Sequence, residues 1–251
     1  MTTRRDTSLT LALWQTPFAA DPALALQRLD VAAAHARAGG ADLLLTPEMS
    51  LCGYAIGAHA VRDRAEPVDG PLAQAVAALA RRHRIALVVG LAERHPHGQA
   101  PYNTALAFGP DGALLARYRK VHLFGDMDRA QFSPGDAGSR VWHWRGWRFG
   151  LLICFDVEFA QTVRALAQQG VDAVLVPTAN MREYDEVPLQ MVPERARDNG
   201  VWVAYANACG DEGPLRYGGL STVAGPDGEV AMRAGRETAL QIVRLSRSGR
   251  R

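Results

Sequence analysis

Three side chains of the kinds that make a nucleophile, a proton carrier and a positive charge each stand just past an apolar run. They are Cys154 in Gly150-Leu-Leu-Ile-Cys-Phe-Asp156, Glu48 in Leu44-Leu-Thr-Pro-Glu48, and Lys120 in Tyr118-Arg-Lys120. A free thiol ionises only near about pH 8.5, so a cysteine nucleophile at neutral pH needs a base for its proton and a cation to favour the thiolate. Glutamate and lysine supply those two needs. Taken singly, each residue has a plainer explanation, because a cysteine ending an apolar strand is usually core and a lone glutamate or lysine is usually solvated. Acting together, the three would perform nucleophilic catalysis, provided the fold brings them to one place.

The elements that must do so alternate. Leu9 to Trp14 has the pattern of a strand, and Asp21-Pro22 supplies a cap and an early proline for a helix over 23–38 that Gly39-Gly40 ends. A buried strand over 41–46, a helix over 71–82 and a strand over 85–91 follow. Two hairpins are expected around Gly109-Pro-Asp-Gly112 and Gly225-Pro-Asp-Gly228, with a last strand near 239–245. Between them, strands over 148–153, 172–177 and 201–207 alternate with helices over 158–169 and 188–199. Mixed sheets with helices on their outer faces follow, in one domain over 1–251. Strand ends in such folds hand over to loops that face a crevice, so three reactive residues at strand ends can converge.

Composition narrows the classes. With 48% hydrophobic and 22% charged residues, the 251-residue chain is an ordinary globule rather than a disordered, collagenous or coiled-coil protein. A net charge of +2, without a basic stripe, gives no reason to expect nucleic acid. The basic residues Arg244, Arg247, Arg250 and Arg251 are expected to fray as a tail from about 246 onward. No apolar run approaches the ~18 residues of a membrane span, and Met1 to Ser8 lacks the apolar region of a signal peptide, so a cytoplasmic location and no membrane partner are expected. Three cysteines without a C-x-x-C pair argue against a disulfide framework or a cysteine zinc site, and Cys52 and Cys209 read as small hydrophobes. His95-Pro-His97 lies in a turn-rich stretch and is expected to be a loop, without a metal. Trp142, Trp144 and Trp147 around Arg145-Gly146 have the spacing of a packed hairpin.

The segments around the three reactive residues resemble, in order and spacing, the signature regions of the nitrilase (carbon–nitrogen hydrolase) superfamily. The resemblance includes Tyr118-Arg-Lys-Val-His-Leu-Phe124, Pro134-Gly-Asp136, Val176-Pro-Thr-Ala-Asn180, Arg195-Ala-Arg-Asp-Asn199 and Gly218-Gly-Leu-Ser-Thr222. It implies a four-layer α-β-β-α sandwich, with Cys154 as nucleophile, Glu48 as general base and Lys120 beside the developing oxyanion together with the Phe155 backbone N–H. It implies no cofactor, a small-molecule amide as substrate and a homodimer. Three departures stand out. Asp128 occupies the place where many members carry a second, substrate-positioning glutamate, Glu158-Phe-Ala replaces a frequent Phe-Pro-Glu, and Asp198 replaces the glutamate common before Asn199.

The substrate expectation rests on position 158. It is arginine in ω-amidase-like members, where it suits a substrate carboxylate, and glutamate here, which favours an ammonium instead. Together with Phe124 to Asp128, Pro177 to Met181 and Ala204 to Asn207, this resembles the 5-aminopentanamidase branch and implies a cationic amino-amide such as 5-aminopentanamide. Tyr54, Asp128, Phe155, Glu158 and Asn180 are the expected substrate neighbours, with Asp126 adding negative charge, and His122 is expected to support the lysine loop. A broad aliphatic or stereoselective amino-acid amidase is the alternative within the class, ahead of a nitrile or N-carbamoyl hydrolase. A non-catalytic binding member is the alternative outside it.

Overall fold

The computed structural model describes residues 8–136 and 141–247. β1 (Ser8–Gln15) leads to α1 (Pro22–Ala38), whose first turn is closed by Asp21 accepting from the Leu24 N–H at 2.8 Å. The buried stripe of α1 is Ala25, Leu29, Ala32, Ala33 and Ala36, small enough for the helix to lie close on a sheet. β2 (Leu43–Leu45), α2 (Ala58–Asp63), α3 (Pro71–His83), β3 (Ala86–Glu93), β4 (Tyr102–Phe108), β5 (Leu114–Arg119) and α4 (Gly125–Gln131) complete the first half. The second half runs through β6 (Trp142–Trp144), β7 (Trp147–Leu151), a 3-10 turn (Cys154–Glu158), α5 (Ala160–Gln168), β8 (Ala173–Thr178) and α6 (Val192–Asn199). It closes with β9 (Trp202–Asn207), β10 (Cys209–Glu212), β11 (Leu215–Gly218), β12 (Thr222–Ala224), β13 (Val230–Arg233) and β14 (Ala239–Ser246). No described helix is long and apolar enough to cross a membrane.

Two six-stranded sheets carry the fold, in the orders β14-β1-β2-β3-β4-β5 and β13-β12-β9-β8-β7-β6. Each contains three adjacent parallel strands, β1-β2-β3 and β7-β8-β9, flanked by one antiparallel strand on one side and two on the other. Leu11, Leu13, Leu43 and Leu45 of the first sheet share a core with Leu151, Leu175, Val203 and Tyr205 of the second. The alternate residues Ala12, Leu44, Leu87 and Val89 pack outward against α1 and α3. α5 and α6 cover the second sheet through Val163, Leu166, Val192 and Ala196. The result is the expected four-layer α-β-β-α sandwich, and strands buried on both faces explain unbroken runs such as Leu43-Leu-Leu45.

Several details differ from the sequence expectations. The helix expected over 158–169 begins at Ala160, and a separate 3-10 turn, Cys154–Glu158, precedes it across an extended Phe159. The helix expected over 188–199 opens with a π-helical turn, Val187–Met191, because Pro193 has no N–H to bond back into the preceding turn. The hairpin β10-β11 and the short helices α2 and α4 had no clear sequence signal. The expected basic tail is corrected in part. Ser246 pairs with Ser8 in β14, Arg244 donates to the Ser8 hydroxyl at 3.0 Å, and Arg247 lies 3.6 Å from Asp172. Residues 248–251, with Arg250 and Arg251, fall outside the described residues. His95 and His97 do lie in the β3–β4 loop, but His95 is buried against Tyr102, with ring centroids 4.8 Å apart. The tryptophans form the β6-β7 hairpin over a left-handed Arg145-Gly146 turn, with Trp142 stacked on Phe149.

One glycine ties the fold to the site. A Cβ at Gly90 in β3 would lie 2.3 Å from the Met49 nitrogen and 2.9 Å from the Glu48 carbonyl carbon. Both are backbone atoms and cannot yield as a flexible side chain does. Gly90→Ala is therefore expected to cost about 1–3 kcal/mol by overpacking. A urea titration would show this as a lower midpoint with an unchanged slope, with any residual activity reduced more than the folded fraction.

Candidate active site

The parallel strands of both sheets deliver their C-terminal ends to one rim. β2 ends at Leu45 and the chain turns through Thr46-Pro47 to Glu48, whose N–H donates to the Thr178 carbonyl at the end of β8 in the other sheet, at 3.3 Å. Lys120 is the first residue beyond β5, and its N–H is held at 2.8 Å by the Asn103 carbonyl of β4. Cys154 opens the 3-10 turn after β7 with φ +46°, a left-handed conformation that costs a non-glycine residue about 1–3 kcal/mol. Asp156 and Arg195 hold that turn from two sides. Asp156 accepts from the Ile153 N–H at 3.2 Å, while Arg195 of α6 donates to the carbonyls of Val157 and Glu158 at 3.1 and 2.6 Å.

Lys120 is fully buried between two carboxylates. Its Nζ donates to Glu48 Oε1 at 2.8 Å and to Asp128 Oδ2 at 2.7 Å, and it lies 5.7 Å from the centre of the Tyr54 ring. Asn103 Nδ2 donates to the same Glu48 Oε1 at 2.6 Å. Among the described residues Glu48 Oε2 is left buried and without a partner, the free position of an otherwise saturated carboxylate. Asp128 is also fully engaged: Oδ1 accepts from the Tyr54 hydroxyl at 2.6 Å, and Oδ2 accepts from the Phe124 N–H at 2.9 Å as well as from Lys120.

These contacts set the protonation tendencies. Burial opposes the charge on Lys120, but Glu48, Tyr54 and Asp128 outweigh it and hold the ammonium above its ordinary pKa. Burial pushes the Glu48 carboxyl upward and Asp128 adds to the push, with Lys120 and Asn103 acting against it. One cation against two carboxylates leaves the cluster short of positive charge, which makes the Glu48 carboxylate a stronger proton acceptor than a solvated one. The Cys154 thiol is raised by burial and by the Glu48 charge, against Lys120 and a hydrogen bond from the Ala179 backbone N–H. It is therefore a thiol at neutral pH and becomes a nucleophile only by giving up its proton.

Cys154 opens into a narrow cleft bounded by Tyr54, Phe124, Phe155, Glu158, Asn180 and Met181. Of the expected substrate neighbours, Tyr54, Phe155, Glu158 and Asn180 line this cleft, while Asp128 lies behind it, hidden from solvent against Lys120. The missing methylene of Asp128 is made up by its place on α4, four residues from the Phe124 N–H that it accepts. Asp126 does not add to the cleft, because its side chain is fully exposed and pairs with Arg129. His122 supports the lysine segment through Asp156, with Nδ1 2.8 Å from Oδ1. Asn103 is the residue that sequence reasoning missed. Its only signal was a polar side chain near the start of a largely apolar strand. A larger groove beside α1, bounded by Trp14, Leu24, Val31 and Leu240, holds none of the reactive side chains.

A sandwich that opens a cysteine onto a cleft, with the Glu48 and Lys120 charges acting on its sulfur from behind, has the arrangement expected of a hydrolase with an active-site cysteine. The family model for carbon–nitrogen hydrolases matches residues 10–251. A protein described as a hydrolase in the pqqF 5′ region of Pseudomonas protegens is 44% identical over 241 residues, covering 96% of this chain and 84% of that one. An (R)-stereoselective amidase from Pseudomonas sp. is 40% identical over 210 residues, covering 83% of this chain and 74% of its own. The crystal structure of an amidase from Nesterenkonia sp. superposes with a TM-score of 0.85 at 38% identity, covering 95% of this chain and 90% of the other. The chain belongs to the carbon–nitrogen hydrolase family. It is an amidase of the nitrilase superfamily.

Lys120→Met should expose how much the cluster depends on its cation. Two buried carboxylates without a counter-charge are expected to cost about 3–5 kcal/mol at pH 8. In that variant burial still raises the Glu48 carboxyl, now without Lys120 against it, so Glu48 binds a proton more tightly in the folded than in the unfolded chain and stability recovers as pH falls. Denaturant melts at pH 8 and pH 5.5 check this: the deficit relative to the parent protein should shrink at the lower pH.

Proposed function

We propose that Cys154 is the nucleophile, Glu48 the general base and Lys120 the electrostatic partner in hydrolysis of a small linear amide. The observation that carries this reading is the unpartnered Glu48 Oε2, held in place because Oε1 is bonded by both Lys120 and Asn103. Oε2 takes the thiol proton as the sulfur adds to the amide carbonyl. The oxyanion is held by the Lys120 ammonium and the Phe155 backbone N–H. Collapse of the tetrahedral adduct breaks the C–N bond, and Glu48 returns the proton to the leaving nitrogen, which departs as ammonia. Glu48 then takes a proton from water as it attacks the thioester, and the carboxylic acid leaves with the thiol restored. The solved relative supports a cysteine route: acrylamide is joined to its active-site cysteine in one variant, and butyramide is bound in another.

We further propose a cationic amino-amide, of which 5-aminopentanamide is the reference case. Glu158 lies on the cleft wall beside the rings of Phe124 and Phe155, which pack edge to face with centroids 5.1 Å apart. A carboxylate beside aromatic faces suits an ammonium. Burial, and after it the Glu186 charge, raises the Glu158 pKa to about 7, so its charge appears across the neutral range. The butyramide complex of the relative favours a second reading, a general aliphatic amidase. The family resemblance also supports one catalytic domain, a homodimer and a cytoplasmic location as proposals.

Ammonia release from 5-aminopentanamide and from uncharged pentanamide separates the two substrate readings. The amino-amide is expected to be preferred, and the preference to grow as pH rises through 7 because Glu158 ionises. It should vanish in Glu158→Gln, and all turnover should vanish in Cys154→Ala. Equal turnover of the two amides at pH 8 would leave the general amidase, and activity surviving Cys154→Ala would overturn the mechanism.

A further inference from the structure

One fully bonded carboxylate near the site is not used by the mechanism. Asp156 is fully buried and accepts four hydrogen bonds. Oδ1 accepts from the His122 backbone N–H at 2.9 Å and from His122 Nδ1 at 2.8 Å. Oδ2 accepts from the Tyr118 hydroxyl at 2.9 Å and from the Ile153 N–H at 3.2 Å. Only the last bond is local and closes the 3-10 turn. The other three reach across to the segment that carries Lys120, and their donors, Tyr118 and His122, stand two residues before and two residues after it. A residue needed only to cap the turn at Cys154 would require one of the four.

We propose that Asp156 is the positioning residue that registers the lysine segment against the cysteine turn, setting the separation between the Lys120 ammonium and the Cys154 sulfur. The proposal rests on Cys154 and Lys120 acting as nucleophile and cation. Cys154 is held in a left-handed conformation by its turn, and Lys120 is held by β4 and by two carboxylates on its own side of the seam. Asp156 is a side chain of the cysteine turn that bonds directly to the lysine segment. A carboxylate suits the task better than an amide would, because all four partners are N–H or O–H groups turned toward it. Asparagine would present its own N–H groups to one pair of those donors.

The test uses Asp156→Asn, Tyr118→Phe and their combination in the whole chain, with Cys154→Ala as the blank. Tyr118→Phe removes one bond without changing shape, so it decides the matter if Asp156→Asn does not fold. For amide turnover, kcat is expected to fall ~10-fold in Tyr118→Phe and ~100-fold or more in Asp156→Asn, with KM within about twofold. The double variant should be no slower than Asp156→Asn alone, because both break one linkage. The pH midpoint for alkylation of Cys154 by iodoacetamide should also move upward, since Glu48, Glu158 and the Ala179 N–H still face the sulfur while the cation is less well placed. The proposal is overturned if folded variants keep kcat within threefold and leave the alkylation midpoint unchanged, or if the two losses multiply. If the parent protein releases no ammonia from any amide, the functional reading fails, and the alkylation midpoints still judge the clamp.

Discussion

A lysine ammonium without access to water, shared by two carboxylates, is the constraint on which the site depends. None of the three groups is stable alone at that depth, since an isolated buried charge costs several kcal/mol. Lys120 holds Glu48 and Asp128 in place, Asn103 and Tyr54 take up further positions on the same carboxylates, and what remains is a single free oxygen, Glu48 Oε2. The pairing therefore does two things at once. It makes burial of charge tolerable, and among the described residues it leaves Glu48 Oε2 as the oxygen of the two carboxylates that has no hydrogen bond.

The sandwich is what allows such a cluster to be assembled. Glu48 leaves one sheet, Cys154 leaves the other, and the hydrogen bond from the Glu48 N–H to the Thr178 carbonyl joins the two sheets where they meet. Because both sheets have the same arrangement of three parallel strands with antiparallel flanks, their strand ends face the same rim without long connecting loops. Gly90 lets the Glu48 backbone approach β3 closely, and Arg195 fixes the carbonyls of the cysteine turn from α6. The left-handed backbone at Cys154 is thus held by a turn that Asp156 and Arg195 bond from two sides.

Much of this is legible in the residues. Period and punctuation place nearly all the sheet strands, because the parallel strands are unbroken apolar runs and both Gly-Pro-Asp-Gly turns mark hairpins. The three reactive residues are visible as charged or thiol groups at strand ends, and Glu158 as a carboxylate four residues beyond Cys154. The rest depends on partners far apart in the chain. Nothing near Asn103 shows that it faces Glu48, and nothing near Asp128 shows that its reach ends on Lys120 rather than in the cleft, because those facts belong to the register of β4 and to the placement of α4. The π-helical turn before α6 was equally hidden, since a proline's lost hydrogen bond can be absorbed by a break, a kink or a wider turn.

The pairing of β1 with β14 has a consequence for how the molecule is made. Ser8 lies opposite Ser246, so one edge of an interior strand finds its partner only after every other described strand has been made. Through that interval the nascent first half presents the free backbone donors and acceptors of Leu9 to Leu13, an apolar strand of the type that joins other chains. Closure of the first sheet thus waits on the synthesis of β14. The same late closure makes the last strand a latch, since removing it would reopen an edge that the finished molecule keeps covered.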